Sequence, residues 1–165
     1  GFMKDIETPV GLDADALNAI ADSKITKLPK NSIITPHPKE MSRLLDVSLG
    51  EILADRANAA KRAVEKFNCT VILKGSGTIV CTKDFRFFVN TSGSSALAKA
   101  GSGDVLTGII SAFLAQGLSC ENAAIAGVFL HGLCGEIAAE SLTEYCVLAQ
   151  DIIDAIPEAF KRILG

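Results

Sequence analysis

The sequence is poor in what a zinc site or a disulfide framework needs. It has five cysteines, at 69, 81, 120, 134 and 146, and only two histidines, His37 and His131. The cysteine count is odd and no C-x-x-C pair occurs, which excludes a zinc knuckle and a paired disulfide scaffold. Reduced thiols in a cytoplasmic protein are the plain reading. No low-complexity tract is present and 48% of the residues are hydrophobic, so the composition is globular rather than disordered. Lys and Arg are scattered without a basic stripe and the formal net charge is −3, which argues against a nucleic-acid partner. Gly1-Phe-Met-Lys-Asp5 has no apolar core of the kind a signal peptide needs. The one uncharged run that invites a membrane reading, residues 105–120, contains Thr107, Gly108, Ser111, Gln116 and Gly117. It is shorter than the roughly 20 apolar residues needed to span a bilayer. It reads as a buried core helix, and no membrane partner is expected.

What is present is an alternation of strand and helix signals within 165 residues, a length that suits one domain with a sizeable core. Residues 9–12 and 32–35 read as short buried strands. Helices are expected over residues 14–23, with Leu17 and Ile20 on one face, and from Pro38 to about residue 45. Of Asp13 and Asp15, one is expected to cap the first helix. Ser48 and Glu51 have capping-box spacing. They open a predicted helix whose stripe is Leu53, Ala57, Ala60, Val64 and Phe67. Residues 70–74 read as a buried strand, and residues 78–82 and 86–90 as a hairpin. Helices over about 104–116, 120–140 and 148–163 close the chain. The second is apolar nearly all round and therefore central, and the third has Ile152, Ile156 and Phe160 on one stripe and is kinked or divided by Pro157. The pattern predicts an α/β fold with a mostly parallel sheet, which binds ligands at the C-terminal ends of its strands.

The strongest chemical signal is Gly101-Ser-Gly103-Asp104, a glycine turn running straight into a helix. Such a turn aims unpaired backbone N–H groups at one point, ready for a phosphate. Asp104 then stands beside that point, either as a helix-terminus carboxylate or as a base next to a phosphoryl group. The long stretch of small residues over 92–103 favours function, because a plain connection needs no such backbone. Lys74-Gly75-Ser76-Gly77-Thr78 is a second glycine turn, after a strand. It lacks the P-loop order, and alone it is as well explained by a strand-to-hairpin turn. Thr35-Pro-His37-Pro-Lys-Glu40 stiffens an imidazole at a strand end and sets a carboxylate one turn later. His37 is a candidate for a polar substrate and Glu40 for a water-coordinated Mg²⁺. A surface histidine and a first-turn glutamate would look the same. His131, inside an apolar helix, reads as a satisfied core histidine.

Taken together and in order, four segments resemble the ADP/ATP-dependent NAD(P)H-hydrate dehydratases of the ribokinase-like superfamily. They are Asp13-Ala-Asp-Ala-Leu17, Thr35-Pro-His-Pro-Lys-Glu40, Val71-Ile-Leu-Lys-Gly-Ser-Gly-Thr78 and Ala100-Gly-Ser-Gly-Asp-Val-Leu-Thr-Gly108. The resemblance implies a ribokinase-like α/β fold: a mostly parallel sheet flanked by helices, with a β-hairpin. It also implies phosphorylation of the ring hydroxyl of hydrated NADH or NADPH by ADP or ATP, followed by loss of phosphate. By resemblance, Asp104 is the base, and the backbone around Gly101 and Gly103 is the anion hole. Lys74, Gly75, Ser76, Gly77, Thr78 and Gly103 contact the adenine nucleotide. His37 and Asp104 contact the damaged cofactor, and Glu40 lies near Mg²⁺. A ribokinase-like sugar or vitamin kinase, or a non-catalytic nucleotide-binding fragment, would use the same turn. Family domains carry further strands and helices ahead of these segments, whereas only about nine residues precede the resemblance here. The expectation is therefore a single domain over 1–165 that is the C-terminal portion of a longer one. It would lack the N-terminal strands and associate with itself or with a chain that supplies them.

Overall fold

Ile33 and Ile34 are sequence neighbours buried on opposite sides of one sheet. That alternation sets the architecture. The computed structural model describes residues 6–165; the residue 1–5 stretch that was read for a signal peptide lies outside them. Five strands run in the order β1 (Val10–Leu12), β2 (Ser32–Ile34), β3 (Thr70–Leu73), β4 (Ile79–Cys81) and β5 (Phe87–Val89). β1, β2 and β3 are parallel neighbours; β4 and β5 form the expected hairpin and add antiparallel to β3. The sheet is therefore mixed, with a parallel half and a hairpin half.

Both faces of the sheet are covered except at the edge strand β5, where Phe87 and Val89 are exposed. Leu12, Ile34, Val71, Leu73, Ile79 and Cys81 pack against α1 (Asp15–Asp22), α2 (Pro38–Leu45), α3 (Leu49–Ala54) and α4 (Arg56–Phe67). Ile33, Ile72 and Val80 pack against α5 (Ser102–Ala115) and α6 (Cys120–Cys146). Outside that layer, α7 (Ala149–Asp154) and α8 (Ile156–Leu164) close a second apolar cluster with α5 and α6. By length and hydropathy α6 would suffice to cross a membrane, but 61% of its most apolar window is buried inside the domain, as a core helix requires. Its regular path ends where Thr143 turns to φ 65°, ψ 155°.

Four expectations change. The single helix over 48–67 is two: Ser48 and Glu51 do form a capping box, but α3 stops at Asp55, whose carboxylate caps α4 by accepting from the Asn58 N–H at 2.9 Å. A second good N-cap residue inside the run restarts the helix in a new direction. Leu53 and Ala57 consequently face solvent, and the buried stripe begins at Ala59 and Ala60. Neither Asp13 nor Asp15 caps α1; the cap position is Ala14, without a side-chain hydrogen bond. Pro157 does divide the last helix, since it falls in the first turn of α8, but Phe160 is exposed and Ala155 and Ala159 take the buried stripe instead.

Candidate active site

The C-terminal ends of β1, β2 and β3 converge on the start of α5. At the end of β3 the Lys74 N–H still donates to the Pro36 carbonyl at 2.9 Å, so the parallel ladder runs up to the site. Beyond it opens a cleft of about 650 Å³. Its walls are His37, the Lys74–Thr78 turn, the small-residue stretch from Asn90 to Lys99, Ser102 and Gly103, and on α6 Val128, His131 and Gly132. Lys74, Gly75, Ser76, Gly77, Thr78, Gly103 and His37 are thus gathered on one cavity. Gly101, Glu40 and Asp104 adjoin it without lining it.

The turn before α5 is built as an anion cradle. Gly101 is at φ +84°, a left-handed conformation that glycine adopts without a Cβ penalty. Among the described residues the N–H groups of Gly101, Gly103 and Asp104 have no acceptor, while the Ser102 N–H reaches the Lys99 carbonyl at 3.3 Å. These free donors head a helix of 14 residues, whose dipole adds to their pull on an anion. A Cβ at Gly103 would stand 3.3 Å from Lys74 Nζ, so the ammonium lies against the same turn. Asp104 is exposed and its carboxylate makes no hydrogen bond or ion pair among the described residues. It does not serve as a side-chain cap, because the cap position is Gly101.

The second glycine turn is held from behind. Arg56, at the start of α4, donates from Nη1 to the Ser76 carbonyl at 2.5 Å and from Nη2 to the Leu73 carbonyl at 3.2 Å. Thr78 Oγ1 donates to the Gly75 carbonyl at 3.0 Å. With those carbonyls engaged, the turn is fixed while its N–H groups remain available. The small-residue stretch is anchored on α6: Gly93 N–H donates to Glu136 Oε1 at 2.6 Å, and Ser92 Oγ donates to the Phe129 carbonyl at 3.0 Å.

His37 is the N-cap of α2. Its Nδ1 accepts from the Lys39 and Glu40 N–H groups at 3.1 and 3.2 Å, and its own N–H donates to Glu40 Oε2 at 2.7 Å. With Nδ1 accepting, the proton of the neutral ring is on Nε2, which faces Glu40 Oε1 at 3.3 Å. Glu40 is buried and both its oxygens face His37, with Lys74 Nζ 4.0 Å from Oε2. No group of three or more metal-ligating side chains occurs among the described residues. The residues present therefore do not fit a directly coordinated Mg²⁺.

Four residues take on contacts here that the sequence did not suggest. Arg56 stands in no motif, and Asp13 and Thr107, though each lies in a segment of the resemblance, pair with groups on elements far apart in the chain. His131, read as a core histidine, is buried but also lines the cleft, with Nε2 3.1 Å from Ser102 Oγ. Burial pushes its pKa down to about 4, and the Lys74 charge adds to the fall while a hydrogen bond from Ser102 partly offsets it. His131 is thus neutral at pH 7. For Asp13, burial alone would raise the pKa, but hydrogen bonding and charge from Lys74 together with donors from Thr107 and Ala14 outweigh it, and the carboxyl sits below its ordinary range.

The open α/β sheet, with its helices on both sides, defines the ribokinase-like fold class. The fold agrees with that of a ribokinase-like superfamily protein from Enterococcus faecalis, with a TM-score of 0.79 at 31% identity over 93% of this chain and 52% of that one. Residues 2–158 match the family described as NAD(P)H-hydrate dehydratase, and the chain belongs to that family. It is 46% identical, over 82% of its length, to the ADP-dependent (S)-NAD(P)H-hydrate dehydratase of Neisseria meningitidis serogroup B, of which it covers 47%. The crystal structure of the ADP/ATP-dependent NAD(P)H-hydrate dehydratase of Bacillus subtilis, co-crystallised with ATP and Mg²⁺ and soaked with CoA, superposes with a TM-score of 0.85. The identity there is 34%, over 94% of this chain and 57% of that one. The chain thus spans about half the length of each of these three relatives.

Proposed function

We propose that this chain binds an adenine nucleotide in the cleft and carries the phosphoryl-transfer machinery of an NAD(P)H-hydrate dehydratase, acting on hydrated NADH or NADPH. The hydroxyl of the hydrated ring attacks the terminal phosphoryl group of ADP or ATP and gives its proton to Asp104, while the bridging P–O bond breaks and its electron pair leaves on AMP or ADP respectively. The ring C–O bond then breaks with its electron pair leaving on phosphate, and a proton lost from the adjacent ring carbon restores the double bond. Phosphate is the better leaving group, which is what the nucleotide contributes. The amides of Gly101, Gly103 and Asp104 stabilise the charge on the moving phosphoryl group. Lys74 and the turn to Thr78 hold the nucleotide, and His37 presents its exposed side to the damaged cofactor. Mg²⁺ would be held chiefly by the nucleotide's phosphates, with Glu40 the candidate for one of its waters, and would supply neutralisation of phosphate charge. The five free thiols agree with residence in the cytoplasm.

The observation that carries this reading is the set of three unclaimed amides at the head of α5 beside Lys74 Nζ. A second reading, a nucleotide-binding module without turnover, is favoured by one fact: Asp104 adjoins the cleft rather than lining it. One assay separates the two. The chain is incubated with hydrated NADH, ADP or ATP, and Mg²⁺, and absorbance is followed at the NADH band. Recovery of NADH supports the dehydratase. Nucleotide binding without recovery leaves the module, and phosphorylation of an alcohol without recovery indicates a kinase.

A further inference from the structure

Asp13, just beyond β1, ties together three elements. Its Oδ1 accepts from Lys74 Nζ at 2.8 Å and from the Ala14 N–H at 2.9 Å, and its Oδ2 accepts from Thr107 Oγ1 at 2.9 Å. The first partner is at the end of β3 and the last is one turn along α5 from Gly103. The side chains of Asp13 and Lys74 are only 10% and 19% exposed, so the pair is weakly screened by solvent. Ala14 is held at φ +46°, a costly conformation for a residue with a Cβ, while it directs its N–H to Asp13. A Cβ at Gly103 would meet Lys74 Nζ at 3.3 Å and Asp13 Oδ2 at 3.7 Å, so carboxylate and ammonium both press on the bare backbone of the cradle. Glu40 Oε2, 4.0 Å from Nζ, is a rival carboxylate on the side of α2.

We infer that Asp13, steadied by Thr107, is a positioning residue: it holds the Lys74 ammonium at the mouth of α5, where it meets the nucleotide's phosphoryl oxygens already ordered. A lysine stem has four rotatable bonds, and immobilising it during binding weakens affinity. Here the immobilisation is complete before the ligand arrives. Without Asp13, Glu40 draws the ammonium toward α2 and away from Gly103. This inference rests on the reading of Lys74 as a nucleotide contact.

The test is calorimetric titration of the whole chain with Mg·ADP, for the unaltered protein, Asp13→Asn, Lys74→Met, the double variant and Thr107→Val, each checked for a cooperative melt. Asp13→Asn keeps the side chain's shape and is expected to weaken ADP binding about tenfold. Lys74→Met is expected to weaken it at least as much, and the double variant no more than Lys74→Met alone, because Asp13 acts through that ammonium. Thr107→Val should show a smaller loss that also vanishes in the Lys74→Met background, and it carries the test if Asp13→Asn does not fold. Losses that multiply would make Asp13 merely structural and overturn the inference. So would Asp13→Asn binding ADP as well as or better than the unaltered chain, since that would mean the carboxylate only repels the ligand. Failure of the unaltered chain to bind ADP would overturn the nucleotide reading, and this inference with it.

Discussion

The two glycine turns of the cleft look alike in sequence and differ in what stands behind them. The Lys74–Thr78 turn links a strand to a hairpin, and its shape depends on Arg56 reaching across from α4 to two carbonyls. The Gly101–Gly103 turn is backed by a 14-residue helix, so its free amides are aligned with the helix dipole. The first turn can hold a ligand only while a distant side chain holds the turn. The second is charged by the fold itself. Under the proposed function, nucleotide binding divides accordingly: the helix head, with Lys74 beside it, takes the phosphoryl charge, and the Gly75–Thr78 turn takes the rest of the molecule.

The sharpest way to break this division is at Asp104. Asp104→Asn should lower NADH recovery by about 10²- to 10⁴-fold, the usual worth of a general base, and leave ADP affinity nearly unchanged. Comparable loss of both in activity and titration assays would make the residue a structural part of the helix head. Arg56→Met should come next. Removing a guanidinium that donates to two carbonyls should weaken ADP binding about tenfold while leaving inorganic phosphate binding at the head of α5 intact. Equal weakening of both ligands would show that the two turns are not separate devices.

Much of this was legible in the sequence, and what was not has identifiable causes. The glycine turn before α5, the hairpin, the Ser48 capping box and the division at Pro157 all rest on local signals, and the structure has each of them. Continuous apolar runs such as Ile33-Ile34 and Val71-Ile72-Leu73 marked strands buried on both faces. The helix break at Asp55 was missed because a continuous apolar stripe outweighed one capping residue. His37 was read as a ligand contact, yet its ring also caps α2, a role the Ser48-x-x-Glu51 rule would have found at His37-x-x-Glu40 had histidine been admitted as a cap. The pairings of Arg56, Asp13 and Thr107 were invisible for another reason: their partners are up to 94 residues away, and no spacing records such a pair.

A smaller effect sharpens the contrast at the helix head. Gly101→Ala forces a Cβ into a left-handed backbone and against Ala149 Cβ, 3.1 Å away, and should lower stability by about 1–2 kcal/mol. Gly103→Ala has no such backbone demand; its Cβ meets Lys74 Nζ at 3.3 Å and Asp13 Oδ2 at 3.7 Å, and a shift of a few tenths of an ångström in the ammonium relieves the tighter contact. Chemical denaturation should find it close to the unaltered chain, while titration shows weaker ADP binding. The smallest effect at working pH concerns His131. Its folded pKa, about 4, lies below the ordinary value of about 6.5, so the unfolded chain takes up the proton first as pH falls. Stability should be level above pH 7 and decline between about pH 6.5 and 4, by on the order of 3 kcal/mol. Urea unfolding across that range should show a shallower decline for His131→Asn; an unchanged slope would assign the pH dependence to other groups.

The central claim is that the amides of Gly101, Gly103 and Asp104 receive the nucleotide's phosphoryl group. Proton–nitrogen NMR spectra of the labelled chain, recorded during titration with Mg·ADP, test it most directly. The account predicts that these three amide signals move furthest, in step with those of Gly75 to Gly77. Saturating ADP that moves the signals of the Lys74–Thr78 turn and leaves the head of α5 where it was would contradict it.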